Sequence, residues 1–119
     1  MEIQKKRPYD LEARTLAFAK TTRAFVKELP RSIANTEDGK QVVRSSGSVG
    51  ANYIEANESL SKKDFVMRIK IARKEAKESS YWLKVIEAPV SLDEMRKALE
   101  READELTRIL SAIIHKFDI

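Results

Sequence analysis

The sequence contains no cysteine, and it has one histidine, three glycines and three prolines in 119 residues. Without cysteine there is no disulfide framework, no thiolate zinc site and no cysteine nucleophile. The single imidazole, His115, has no second His for a metal cluster and no triad partner. It lies near the end of the last helical segment, where a charged ring would suit the C-terminal dipole. No apolar run is long enough for a membrane span, and there is no secretory h-region, so we expect a cytoplasmic protein without membrane contact. A Glu-x-x-His pair, as used by di-metal bundles, is missing, and so is any phosphate-binding loop. Glu55, Glu58, Glu75 and Glu78 could pair for acid/base work, but nothing else supplies a nucleophile or a pocket. A better reading has Asn52 and Glu55 bonding within the bundle or between subunits, for example to Arg44 or Arg73. The expectation is a protein with no enzymatic activity, no cofactor and no metal.

What remains is 35% charged and 42% hydrophobic residues. Scarce Gly and Pro with many charges favour helix, and about 120 residues favour one domain with one core. Residues 1–9, MEIQKKRPY, read as a basic arm. Residues 10–119 then hold four segments with helical period. The first runs from about Asp10, a plausible N-cap, to Leu29 before Pro30, with Leu11, Thr15, Phe18, Thr22 and Phe25 on one face. A second covers about Thr36 to Asn57, with Thr36, Glu37 and Asp38 as its starting signal. Its middle, SSGSVGA, is poor helix sequence. The apolar period nevertheless continues through it, and small side chains let a neighbouring helix approach, so we read it as helix. The third runs from about Ser61 to Glu87, with Ser61 and Asp64 resembling a capping box. Here Phe65, Ile69, Ala72, Ala76, Ser79, Leu83 and Ile86 recur with near-heptad spacing. The last covers about Leu92 to Phe117, with Ser91 and Glu94 as a capping box and Phe117 closing the apolar stripe. Short connections favour antiparallel neighbours, so the predicted fold is all-α, an up-down-up-down four-helix bundle.

The formal net charge of +4 hides an alternation. Residues 1–35 and 61–88 each carry +4, while residues 36–60 and 89–119 each carry −2. On a wheel of about 100° per residue with Phe65 at zero, Arg73, Lys84, Lys77, Lys70, Lys63 and Lys74 fall between about 80° and 180°. Glu78, Asp64 and Glu75 fall on the other flank, between about 220° and 280°. The basic flank reads either as a solvated face or as a stripe that binds a polyanion through salt-sensitive phosphate contacts. Tyr81 is the one aromatic within it, which argues against a dedicated single-strand binder. Met67, Ile71 and Trp82 lie off the core stripe among the acids, and Leu16 lies off the core face of the first segment. Such residues predict a second buried surface, and a further copy of the chain is the simplest partner. Opposite charges on the two flanks favour head-to-tail contacts that close into a ring.

The stretch from Arg44 to Ser79, RSSGSVGANYIEANESLSKKDFVMRIKIARKEAKES, resembles the four-helix bundle proteins encoded in intervening sequences of bacterial 23S ribosomal RNA genes. The matching positions are Arg44, Ser48, Val49, Asn52, Tyr53 and Glu55, then Lys63, Phe65, Ala72, Arg73 and Glu78. The opening YDLEARTLAFA also resembles the family's start, through Asp10 and Leu11. The likeness covers about Tyr9 to Glu87. Two departures stand out: Gly50 where the family often has Pro, and Glu55-Ala56-Asn57 where a Glu-Gly pair is usual. The resemblance implies a closed ring of bundles, commonly a homopentamer, without enzymatic activity. The chain is similar too to the accessory variability determinant of diversity-generating retroelements, which implies binding of RNA or DNA and of a partner such as a reverse transcriptase.

Overall fold

The computed structural model describes residues 10–117, so the basic arm read over residues 1–9 lies outside them. Helices α1 (Leu11–Lys27), α2 (Ile33–Asn57), α3 (Lys62–Val85) and α4 (Asp93–Phe117) follow in order, with one 3₁₀ turn, Val90–Leu92, ahead of α4. Cross-helix pairs run in opposite directions along each neighbour. Gly50 and Gly39 of α2 face Thr15 and Val26 of α1. Arg44 and Glu55 of α2 reach Glu78 and Arg68 of α3. Phe65 and Ser80 of α3 meet Phe117 and Asp104 of α4. The result is an all-α four-helix bundle with antiparallel neighbours, as the sequence predicts. Its circle closes through a two-pronged ion pair from Arg14 of α1 to Glu102 of α4, at 2.7 and 3.0 Å.

One stripe from each helix fills the core. Phe25, Val42, Val49, Ile69, Ala72, Ala76, Leu83, Leu106 and Leu110 are fully buried. Each large side chain among them contributes about 1.5–3 kcal/mol through burial. Thr15 and Thr22, expected on the α1 stripe, are buried as well.

The glycine-containing middle of α2 is continuous helix. A Cβ placed on Gly50 would stand 2.7 Å from Oγ1 of Thr15 and 3.1 Å from its Cβ. The close approach of α1 therefore requires glycine there. Across the other face of α2, Ser45 and Ser79 share a buried hydroxyl–hydroxyl bond of 2.8 Å. Ser79 also donates to the Glu75 carbonyl. Small hydroxyl side chains thus seal the tight α2–α3 contact without leaving those oxygens unpaired.

Helix ends differ from expectation in four places. α1 stops at Lys27, two residues before Leu29, because the chain is already leaving the helix ahead of Pro30. α2 begins at Ile33, not near Thr36. Ser32 is its N-cap and accepts the Asn35 N–H at 3.0 Å, while the Asn35 amide donates to the Pro30 carbonyl at 2.9 Å. Those two bonds close the turn early and carry Thr36, Glu37 and Asp38 into the helix. α3 ends at Val85, since Ile86 turns to extended backbone and is buried in the core. Ser91 lies inside the 3₁₀ turn, so the Ser91–Glu94 capping box does not form. The caps at Asp10 and Ser61 are as expected, each accepting the backbone N–H three residues on. Among the described residues, no helix is long and apolar enough to cross a membrane.

Candidate nucleic-acid interface

The α3 helix carries both charge flanks, and the bundle treats them differently. Glu75 and Glu78 turn toward α2. Nη2 of Arg44 donates to both, at 3.2 and 2.9 Å. Glu75 is only 8% exposed. Its hydrogen bond is the largest cause holding the Arg44 guanidinium above its ordinary pKa, against the opposing effect of desolvation. Nearly two turns into α3, Arg68 pairs with Glu55 at 3.1 Å. Glu55 therefore pairs neither with Arg44 nor with Arg73. Two acids of the acidic flank are satisfied within the chain and are poor complements for the basic flank of a second copy.

The basic flank is different. Lys63, Lys70, Lys74, Lys77 and Lys84 are exposed. Lys63, Lys70, Lys77 and Lys84 recur every seven residues, about 10 Å apart along the axis. The side chains of Arg73 and Lys84 are partly engaged at the α3–α4 seam. Arg73 donates to Oγ of Ser111 at 3.3 Å. Lys84 donates to Oγ of Ser80 at 2.8 Å, and that hydroxyl donates to Asp104. Lys63, Lys70, Lys74 and Lys77 are the other exposed cations of the stripe.

The three apolar residues read as an association surface have separate environments. Met67 is exposed, Ile71 is half-buried, and the Trp82 ring packs against the core. Tyr81 meets Trp82 edge-on at 5.0 Å, and the Trp82 Nε1 is buried without a hydrogen-bond partner among the described residues. Leu16 and Tyr81 are more than half exposed.

The motif positions are mostly structural. Asn52 bonds the Ser48 carbonyl at 2.9 Å. Phe65 is half-buried against Phe117, with ring centroids 5.2 Å apart. Arg44 and Glu78 form the clamp just described. Two residues that the sequence reading did not place on the basic flank join the basic end of α3: Lys62, its first residue, and Phe117, read as core stripe but 39% exposed and brought over from α4. A single-helix wheel could not find Phe117, because it belongs to a different wheel. Among the described residues, no three His, Asp or Glu side chains gather as a metal site.

The model of the 23S rRNA-intervening sequence protein family matches residues 9–112. Among solved structures, the chain is similar to a protein of unknown function from the S23 ribosomal protein family of Bacteroides thetaiotaomicron. The two share 30% identity with a TM-score of 0.71, over 87% of this chain and 96% of that one. Curated proteins give no match. The bundle, its motif positions and these likenesses together mean that the chain belongs to the 23S rRNA-intervening sequence protein family.

Proposed function

We propose that the protein is a non-catalytic, self-associating bundle that binds RNA or DNA through the basic flank of α3. One observation carries this reading: Glu75 and Glu78 are taken up by Arg44 inside the chain, while Lys63, Lys70, Lys74 and Lys77 face solvent on the other flank. Such a row gives sequence-independent affinity through counterion release. Self-association is supported by the exposed apolar residues Leu16 and Tyr81, and the family likeness favours a pentamer.

Fluorescence anisotropy with a structured RNA at rising salt tests it. Binding should weaken steeply with salt. Lys74→Glu with Lys77→Glu should lower affinity by tenfold or more and make the log–log salt slope shallower by about one per lost phosphate contact. Affinity that ignores both salt and charge reversal would remove this function.

A further inference from the structure

At the end of the bundle where α3 begins, two helices build something that neither carries alone. Phe117, in the last turn of α4, is 39% exposed and stands edge-on to Phe65. With Val66 and Met67 it makes the apolar wall of an open pocket of about 700 Å³. Among the described residues, Lys62, Lys63 and Lys70 line the same pocket, with Asp64 as the one carboxylate. These described side chains give the mouth a positive balance. Lys62 and Lys63 also occupy the first two positions of α3, where the helix dipole is itself positive. Cations there work against helix stability, and they raise the local field for an anion.

We propose that this pocket receives one unpaired base of a single-stranded nucleic acid. The base lies against Phe117 and Met67, and its flanking phosphates lie on Lys62, Lys63 and Lys70. This rests on the nucleic-acid reading above and narrows it from any polyanion to a strand with free bases. The choice follows from the two kinds of surface found together. A simple anion would use the ammonium groups and leave the aromatic wall wet. A neutral apolar ligand would cover the wall and leave the cations unused. A nucleotide offers both a π-face and a charge within one residue, and aromatic side chains hold bases by stacking with little sequence preference. The volume is in the range of small-ligand sites. A duplex keeps its bases stacked inside and cannot fill the pocket.

The test compares a 12-nucleotide single strand containing 2-aminopurine with a blunt duplex of the same length, at low salt. The single strand should bind about tenfold more tightly, and the 2-aminopurine emission should change on binding. Phe117→Leu and Met67→Ser should each weaken single-strand binding by up to about tenfold and leave duplex binding unchanged. Met67 is exposed and does not belong to the core, so its variant guards against a folding defect in the Phe117 variant. If single strand and duplex bind equally and neither variant separates them, the pocket is overturned and the basic surface stands. If the wild type binds neither form, both readings fall. Binding of an acidic apolar peptide with no oligonucleotide binding also overturns both.

Discussion

Gly50 and Gly47 lie in the same helix three residues apart, yet they answer to different physics. Replacing a helical glycine by alanine ordinarily gains about 1 kcal/mol. At Gly47 the new methyl would meet only the tip of the Arg23 side chain, at 3.5 Å, so Gly47→Ala should be neutral or stabilising. At Gly50 it would meet the buried Thr15 side chain at 2.7 Å. That residue is held by its own bond to the Leu11 carbonyl at 2.6 Å and cannot swing aside. Gly50→Ala should destabilise by about 1–3 kcal/mol in urea unfolding, as overpacked cores do. Adding Thr15→Ala should recover most of that loss. The sequence shows the glycines and the continuing period, but it cannot say which of them touches another helix. Ser79 presents a similar case. Its removal leaves the buried Ser45 hydroxyl only a long bond to the Val42 carbonyl, at 3.5 Å, and Ser79→Ala should cost about 1 kcal/mol.

At the scale of the helix, caps and flanks decide the outcome. Ser61→Ala removes a formed cap on α3 and should lower stability by about 1 kcal/mol in urea unfolding. Ser91→Ala should change it by less than about 0.5 kcal/mol, because Ser91 sits inside a 3₁₀ turn and caps nothing. Both serines have an acid three residues on, and sequence treats them alike. Pro89 separates them in fact, by setting an extended residue before the 3₁₀ turn. The flanks of α3 make the same point. Periodicity gives the sign of each flank. Only packing shows that Arg44 of α2 crosses over to neutralise Glu75 and Glu78. Arg44→Ala should cost about 1–3 kcal/mol, since it leaves the nearly buried Glu75 carboxylate without its charged donor.

For the whole molecule the open quantity is assembly. Light scattering should report a mass near five times the 13.6 kDa chain if the pentamer forms. A monomer would remove self-association from the proposed function and leave the basic flank untouched. Trp82 is a poor probe of that equilibrium. Its ring packs on the core, so Trp82→Ala should lower stability by about 2–3 kcal/mol whatever the oligomeric state, somewhat below the range for fully buried aromatics. Leu16, which is 57% exposed, is the cleaner position. Leu16→Asp should leave the thermal midpoint nearly unchanged and weaken any assembly that uses the outer face of α1.

Local rules by themselves determined that this chain makes helices, four of them, and which stripe of each turns inward. Spacing at 3.5 to 3.6 residues is a property of one segment, so Leu11, Phe18, Phe25, Ile69, Ala72, Ala76 and Leu83 could be read as core before any contact was known. The Arg44 to Ser79 likeness to the family was legible in the same way. Tertiary structure decided everything that needs two helices at once. It set Gly50 against Thr15, put Arg44 on the acidic flank, and left Lys63, Lys74 and Lys77 of α3 exposed. It also carried Phe117 from the end of one apolar stripe to the basic start of another helix. The reason is distance along the chain. A pattern within one helix fixes an angle about its axis, whereas a site at the end of a bundle depends on which ends the turns bring together.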